Sequence, residues 1–187
     1  MIGPRRVEGY VIVSSDGMIA DANGVMPESI RNDADQKAFQ DALDRVAVVL
    51  HGQHSYEGGP RAAQRKRLVL TRQMAAIAPD PRHPNSLLWN PAGATIEQAI
   101  AALGAPAGII APIGGTEVFS MFLPVYDAFH LSRAAHAKIP GGRPVFAGVG
   151  PDLTPEDALA RHGLKPGPRR ELDAAAGVTL VIWERPS

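Results

Sequence analysis

Two adjacent glycines, Gly114-Gly115, end the apolar run Ile109-Ile110-Ala111-Pro112-Ile113, and a helical pattern starts at Thr116-Glu117-Val118-Phe119. So apolar and β-branched a run suits a strand buried on both faces. With no Cβ at the turn the backbone can approach a ligand closely, and the helix that follows directs unpaired N–H groups and its positive dipole end at an anion. The chemistry on offer is the holding of a phosphate; the simpler alternative is a tight strand-to-helix turn. Asn32-Asp33-Ala34-Asp35 puts two carboxylates in a helix first turn, with Asn32 as N-cap. Ser14-Ser15-Asp16-Gly17 reads as a polar turn after a strand. Arg61, Arg65, Lys66 and Arg67 form a basic cluster that either meets an anion or faces water. The six histidines show no metal-ligating spacing, and neither a Gly-x-Ser-x-Gly elbow nor a Gly-x-Gly-x-x-Gly turn occurs, so no metal site is expected.

Apolar patterning indicates the scaffold for these groups. Residues 7–14 read as a first strand and 15–27 as a polar loop. Ala34, Ala38, Phe39, Ala42, Leu43 and Val46 form one helical stripe. Buried strands follow at 46–50 and 67–71, and Gly58-Gly59-Pro60 interrupts any helix between them. Residues 79–85 read as a proline-rich surface loop and 87–89 as a short strand. The capping box Thr95-Ile96-Glu97-Gln98 starts a helix that reaches about Leu103. Strands at 108–113, 128–133, 164–171 and 178–184 complete the pattern, the last two as a hairpin around residues 173–177. The expectation is one α/β domain over residues 1–187, with a mostly parallel central sheet and an antiparallel C-terminal hairpin.

The order of these pieces resembles the dihydrofolate reductase superfamily. The resemblance rests on the strand-Gly114-Gly115-helix unit followed by Pro124, Asp127 and the strand at 128–133, on Met26-Pro27 before a helix, on Leu50-His51-Gly52-Gln53-His54-Ser55-Tyr56-Glu57, and on Leu68-Val69-Leu70-Thr71-Arg72. Val13-Ser14-Ser15-Asp16-Gly17-Met18-Ile19-Ala20 is similar to the Ser-x-Asp-Gly-x-Ile-Ala opening of the reductase domain of riboflavin biosynthesis. The matches run from about residue 7 to about residue 184. The resemblance implies a three-layer fold and an NADPH-dependent reductase, similar to 5-amino-6-(5-phosphoribosylamino)uracil reductase, that delivers hydride to a ribosyl-aminopyrimidine or related heterocycle. It assigns the cofactor to Gly52, Gln53, His54, Ser55, Thr71, Arg72, Ile113, Gly114, Gly115, Thr116 and Glu117. Thr71-Arg72 would read the 2′-phosphate. An alignment without gaps on dihydrofolate reductase makes Asp33 the catalytic acid and Ser132 its hydroxyl partner, with Asp35 the alternative in a shifted register. Ser14, Asp16 and Arg31 are the candidates for substrate contact. Gln53 stands where the family has a basic residue and Thr116 where many relatives have glycine, a place that a β-branched residue tolerates only at negative φ. Glu28 and Arg31 make the expected pterin pocket more polar than a folate site. Dihydrofolate reductase itself, or an inactive nucleotide-binding module of the same fold, are the alternatives.

Composition narrows the classes further. The chain's 187 residues suffice for one domain with a sizeable core. Lys+Arg and Asp+Glu both number 19, so no global field draws in nucleic acid or an anionic membrane. Zero cysteines exclude disulfides and thiolate metal sites, including the zinc site of the deaminase that accompanies riboflavin-type reductases, and fit a reducing, cytoplasmic setting. No membrane span is expected. The apolar run Val178-Thr179-Leu180-Val181-Ile182-Trp183, read as part of an exposed hairpin, calls for a covering partner and so for a symmetric homodimer.

Overall fold

A computed structural model describes residues 2–186. In chain order the elements are β1 (Glu8–Ser14), β2 (Met18–Ala20), α1 (Asp33–Leu43), β3 (Val48–Gly52), β4 (Arg67–Leu70), β5 (Ile77–Pro79), β6 (Ser86–Trp89), α2 (Ile96–Ala102), β7 (Ile110–Pro112), α3 (Thr116–Phe122), β8 (Ala128–Ala134), β9 (Arg143–Pro144), α4 (Pro155–Arg161), β10 (Lys165–Asp173) and β11 (Val178–Glu184). Between β3 and β4 only a 3-10 turn forms, at Ala62–Gln64, as the Gly58-Gly59-Pro60 interruption requires.

The sheet is built in two parts. One has the order β5-β6-β4-β3-β7 and the other β1-β8-β11-β10, and they join where Val7 bridges Ile110 in parallel. Pairing is parallel among β6, β4, β3 and β7 and between β1 and β8, and antiparallel along β8-β11-β10. The expected antiparallel C-terminal side is present, but the opposite edge is antiparallel too, because β5 turns back on β6.

Side-chain alternation along the central strands separates two cores. Val49, Ala111 and Tyr10 pack with Ala42 and Leu43 of α1. Val48, Leu50 and Ile110 share the larger cluster with Ile100 of α2 and with Phe119 and Phe122 of α3. Helices thus cover both faces of the sheet, giving three layers. Local signals set the helix starts: Asn32 Oδ1 accepts from the Ala34 and Asp35 amides, and Thr95 with Gln98 forms the expected capping box. Helix α4 lies where the patterning above suggests no element, although Thr154 and Asp157 form a capping box with Pro155 in the first turn.

The C-terminal strand departs from expectation. β11 is not an edge: it pairs with β8 on one side and β10 on the other, so both its backbone edges are satisfied within one chain, with Val178, Leu180 and Trp183 buried and Val181 and Ile182 half-buried. The edge strand is β10, where Pro166 and Pro168 lack the N–H groups that invite a further strand. The apolar run of β11 therefore does not itself call for a dimer.

Candidate active site

The strand order reverses between β3 and β7, since β3 leads outward to β4 and β6 while β7 returns on its other side. A crevice at the carboxyl ends of parallel strands forms at such a point. Here the Gly52 amide donates to the Gly114 carbonyl at 2.8 Å, tying the end of β3 to the turn after β7. Above this link opens a cavity of about 730 Å³.

One half of the cavity is walled by strand ends. Gly52, Gln53, His54 and Ser55 after β3, Thr71 and Arg72 after β4, and Ile113, Gly114, Gly115, Thr116 and Glu117 after β7 all line it. The Gly114–Gly115 peptide is cis, and Gly114 has a φ of 119°, in the region that favours glycine. A Cβ on Gly114 would lie 3.1 Å from Phe119 Cε2, whereas one on Gly115 would meet nothing closer than Ser55 Oγ at 3.6 Å. Gly114 is thus needed by the fold, while Gly115 has room that a ligand can use. No residue other than glycine has positive φ among the described residues, so the β-branched Thr116 is accommodated without that conflict. Its hydroxyl donates to the Pro144 carbonyl. Gln53 Nε2 donates to Thr71 Oγ1 at 2.9 Å, and Arg72 is ion-paired with Glu117.

The basic cluster does not contribute to this wall. Arg67 is 1% exposed and donates to Glu57 at 2.8 and 3.0 Å, with its guanidinium 4.6 Å from the Tyr56 ring centroid. Arg65 binds Glu57 and Asp44, Arg61 binds Asp44, and Lys66 donates to the Leu103 and Gly104 carbonyls. Burial pushes Glu57 up, but Arg67 and Arg65 outweigh it and hold the carboxylate below its ordinary range.

The other half lies between α1 and the sheet, where Met26, Phe39 and Leu180 make an apolar surround. Asp35 and Ser132 enter it together. Burial raises the Asp35 pKa, and the Ser132 hydroxyl, pulling the other way, does not offset it. Among the described residues no cation pairs with Asp35. Asp33, the expected acid, is exposed at the first position of α1 and does not line the cavity. Two residues along a helix turn a side chain by roughly 200°, so the two carboxylates point to different surroundings. Ser14, Asp16 and Arg31 are also outside the cavity. Ser14 is buried and its hydroxyl donates to Asp16 at 2.5 Å, Asp16 accepts from the Ile139 amide at 3.1 Å, and Arg31 reaches out to Glu28 at 2.6 Å.

The structure adds residues that the sequence reading overlooks. Tyr10 and His130, opposite each other across the β1–β8 pairing, stack at 4.4 Å and line the cavity. Behind them Glu8 accepts from Tyr10 at 2.7 Å and from Arg6 at 3.0 Å. Burial would raise the Glu8 carboxyl, but His130, Tyr10 and Arg6 together bring it down to about 2. Strand parity is the signal that could have found His130, since it shares a strand face with Ser132. Arg143 of β9 also lines the cavity. Among the described residues no group of acidic or histidine side chains is arranged to hold a metal, and no helix is long and apolar enough to cross a membrane.

No protein-family model matches the chain, and no curated protein is similar to it in sequence. Solved structures are similar in fold. A protein from Shewanella sp. PV-4 assigned to riboflavin biosynthesis superposes with a TM-score of 0.65 at 18% identity, covering 97% of this chain and 99% of its own. Dihydrofolate reductase from Enterococcus faecalis, in complex with NADP(H) and RAB-propyl, gives 0.64 at 15% identity and covers 97% of each chain. The diaminohydroxyphosphoribosylaminopyrimidine deaminase/5-amino-6-(5-phosphoribosylamino)uracil reductase of Thermotoga maritima gives 0.63 at 15% identity, matching 97% of this chain but 57% of its own. The fold is the one that these solved structures, dihydrofolate reductase among them, share.

Proposed function

We propose that the protein is an NADPH-dependent reductase of the riboflavin-biosynthesis type, delivering hydride to the ribosyl chain of a ribosyl-aminopyrimidine or to a related heterocycle. The observation that carries this reading is Asp35: a carboxyl with a raised pKa, beside a hydroxyl, in an apolar pocket continuous with the Gly114–Gly115 turn. NADPH, when bound, supplies the hydride. The protein's residues do the rest. Gly52, Ser55, Gly114 and Gly115 offer a wall without bulk for the cofactor's phosphates, and Thr71 with Arg72 offers a hydroxyl and a cation for the 2′-phosphate. Met26, Phe39 and Leu180 keep water from the reacting centre. Asp35 accepts N–H groups from the ring edge when ionised and can give a proton when neutral, and Ser132 positions it.

An Asp35–Ser132 pair in an apolar pocket suits a dihydropteridine ring as well, and the outward turn of Arg31 removes one candidate for a substrate phosphate. Dihydrofolate reduction is therefore the second reading. The test is to follow absorbance of the reduced nicotinamide with dihydrofolate and, separately, with 5-amino-6-(5-phosphoribosylamino)uracil. We expect turnover with the second, and turnover with dihydrofolate alone selects the second reading. Nucleotide binding without turnover on either would leave the inactive module. Gly115→Val, at a position where a Cβ meets nothing closer than 3.6 Å, should cost NADPH at least tenfold in affinity with the thermal melt retained; unchanged binding removes the cofactor from this turn.

A cytoplasmic homodimer belongs to the same proposal. The dimer rests on the resemblance to riboflavin-type reductases alone, since the prolines of β10 leave its exposed outer edge unreceptive to a further strand. Light scattering at micromolar concentration tests it, and a monomer mass rejects it.

A further inference from the structure

Two guanidinium groups line the cavity, and their situations differ. Arg72 is already paired with Glu117. Arg143 has no ion pair among the described residues; its Nε and Nη2 make only long contacts of 3.4 Å to the Ala22 carbonyl. The guanidinium lies against Gly24, where a Cβ would come within 3.0 Å of it, so glycine leaves the arginine its room. Arg61, Arg65, Lys66 and Arg67 are all engaged elsewhere, and Gln53 brings no charge. Among the described residues, Arg143 is the guanidinium in this cavity left uncommitted for an entering diphosphate.

Its position selects which phosphate that is. The Thr116 hydroxyl donates to the carbonyl of Pro144, the neighbour of Arg143, and so fastens β9 to the residue that follows Gly114-Gly115. Thr71 and Arg72 stand at the end of β4, separated from β7 by β3. The Arg72 side chain nevertheless reaches across to Glu117, beside Thr116, where its charge is already matched, so at the glycine turn Arg143 is the cation left for a phosphate. We infer that Arg143 is the cationic ligand of the cofactor's diphosphate and fills the part of the basic residue that Gln53 replaces. The inference rests on the nicotinamide reading above and adds a residue to it.

The experiment is calorimetric titration of NADPH and NADH into the unaltered protein, Arg143→Gln and Arg143→Lys, at two salt concentrations. Because the Arg143 side chain is exposed, both variants are expected to fold, which thermal melting checks. Loss of a charge-assisted contact should weaken both nucleotides by the same factor in Arg143→Gln, about tenfold. Arg143→Lys should recover part of that loss, and the salt dependence of NADH binding should flatten in Arg143→Gln. Weakening of NADPH alone would assign Arg143 to the 2′-phosphate and overturn the inference. Unchanged nucleotide affinity with a raised KM for the heterocycle would assign it to substrate and overturn it equally. An unaltered protein that binds neither nucleotide overturns the nicotinamide reading itself, and this inference with it.

Discussion

Glu57 and Asp35 are carboxylates withdrawn from water, and the protein treats them in opposite ways. Glu57 sits with 1% of its side chain exposed between Arg67 and Arg65, and stays ionised against the pressure of burial. Asp35 has only the Ser132 hydroxyl, and burial raises its pKa. What separates a carboxylate that holds the fold from one that can give up a proton is therefore the number of cations beside it, more than its depth. Around Glu57 every charge is answered: His51 Nδ1 donates to the Gly52 carbonyl at 2.7 Å, leaving Nε2 to accept from Arg67 at 3.1 Å. The pocket around Asp35 leaves its charge unanswered, as a place for a ligand's N–H groups must.

The comparison is broken most directly at Asp35. Asp35→Asn should lower turnover by about 10²–10⁴-fold, the usual worth of a positioned acid or base, while nucleotide binding persists. The same change should stabilise the fold, because Asp35 has a raised native pKa. Its stability contribution is fully present below the unfolded carboxyl value and is lost as pH rises through the native one. Asparagine never ionises, so its advantage in thermal melts should grow with pH across that window. Full activity in the variant would return Asp35 to the ordinary role of a helix first-turn residue.

At Glu57 the effect should be of the opposite kind. Glu57→Gln leaves the Arg67 guanidinium buried without its carboxylate and should cost about 3–5 kcal/mol in urea unfolding. The paired change Glu57→Leu with Arg67→Met should cost much less. If the single change is as mild as the double one, the network is not what anchors this region.

Glu8 sharpens the contrast within the cavity's own support. Its pKa of about 2, against an ordinary 4.5, corresponds to stability of order 3 kcal/mol at neutral pH. A depressed carboxyl contributes fully above its unfolded value, and that contribution is lost as pH falls through the native one. Glu8→Gln should therefore flatten the loss of stability between about pH 4.5 and pH 2, and an unchanged slope would show that Tyr10, His130 and Arg6 do not hold a carboxylate there.

The parts of this molecule legible in its sequence are those set by neighbours along the chain. The Gly114–Gly115 turn, the Asn32 cap and the Thr95–Gln98 box each depend on a few consecutive residues. The Thr154–Asp157 box was just as local, and its helix was readable there. Asp33 and Asp35 could not be ranked in the same way. Both suit a helix first turn, and only packing on Phe39 and the sheet decides which of them faces the pocket. The Arg61–Arg67 cluster looked like a water-facing run because its carboxylates, Asp44 and Glu57, lie outside it. Tyr10 with His130, and Arg143 with Gly24, meet only through strand pairings that bridge more than a hundred residues.

The place of β11 has a consequence for how the protein is made. Leu180 on this strand lines the cavity, beside Ser132 of β8 in the pairing register. Every other strand of this sheet precedes β11 in the chain, so a nascent chain can fold most of the sheet while the flank of β8 stands open. The pocket is closed by the last strand of this sheet in chain order, and until then the cavity that holds Asp35 and Ser132 lacks part of its apolar wall.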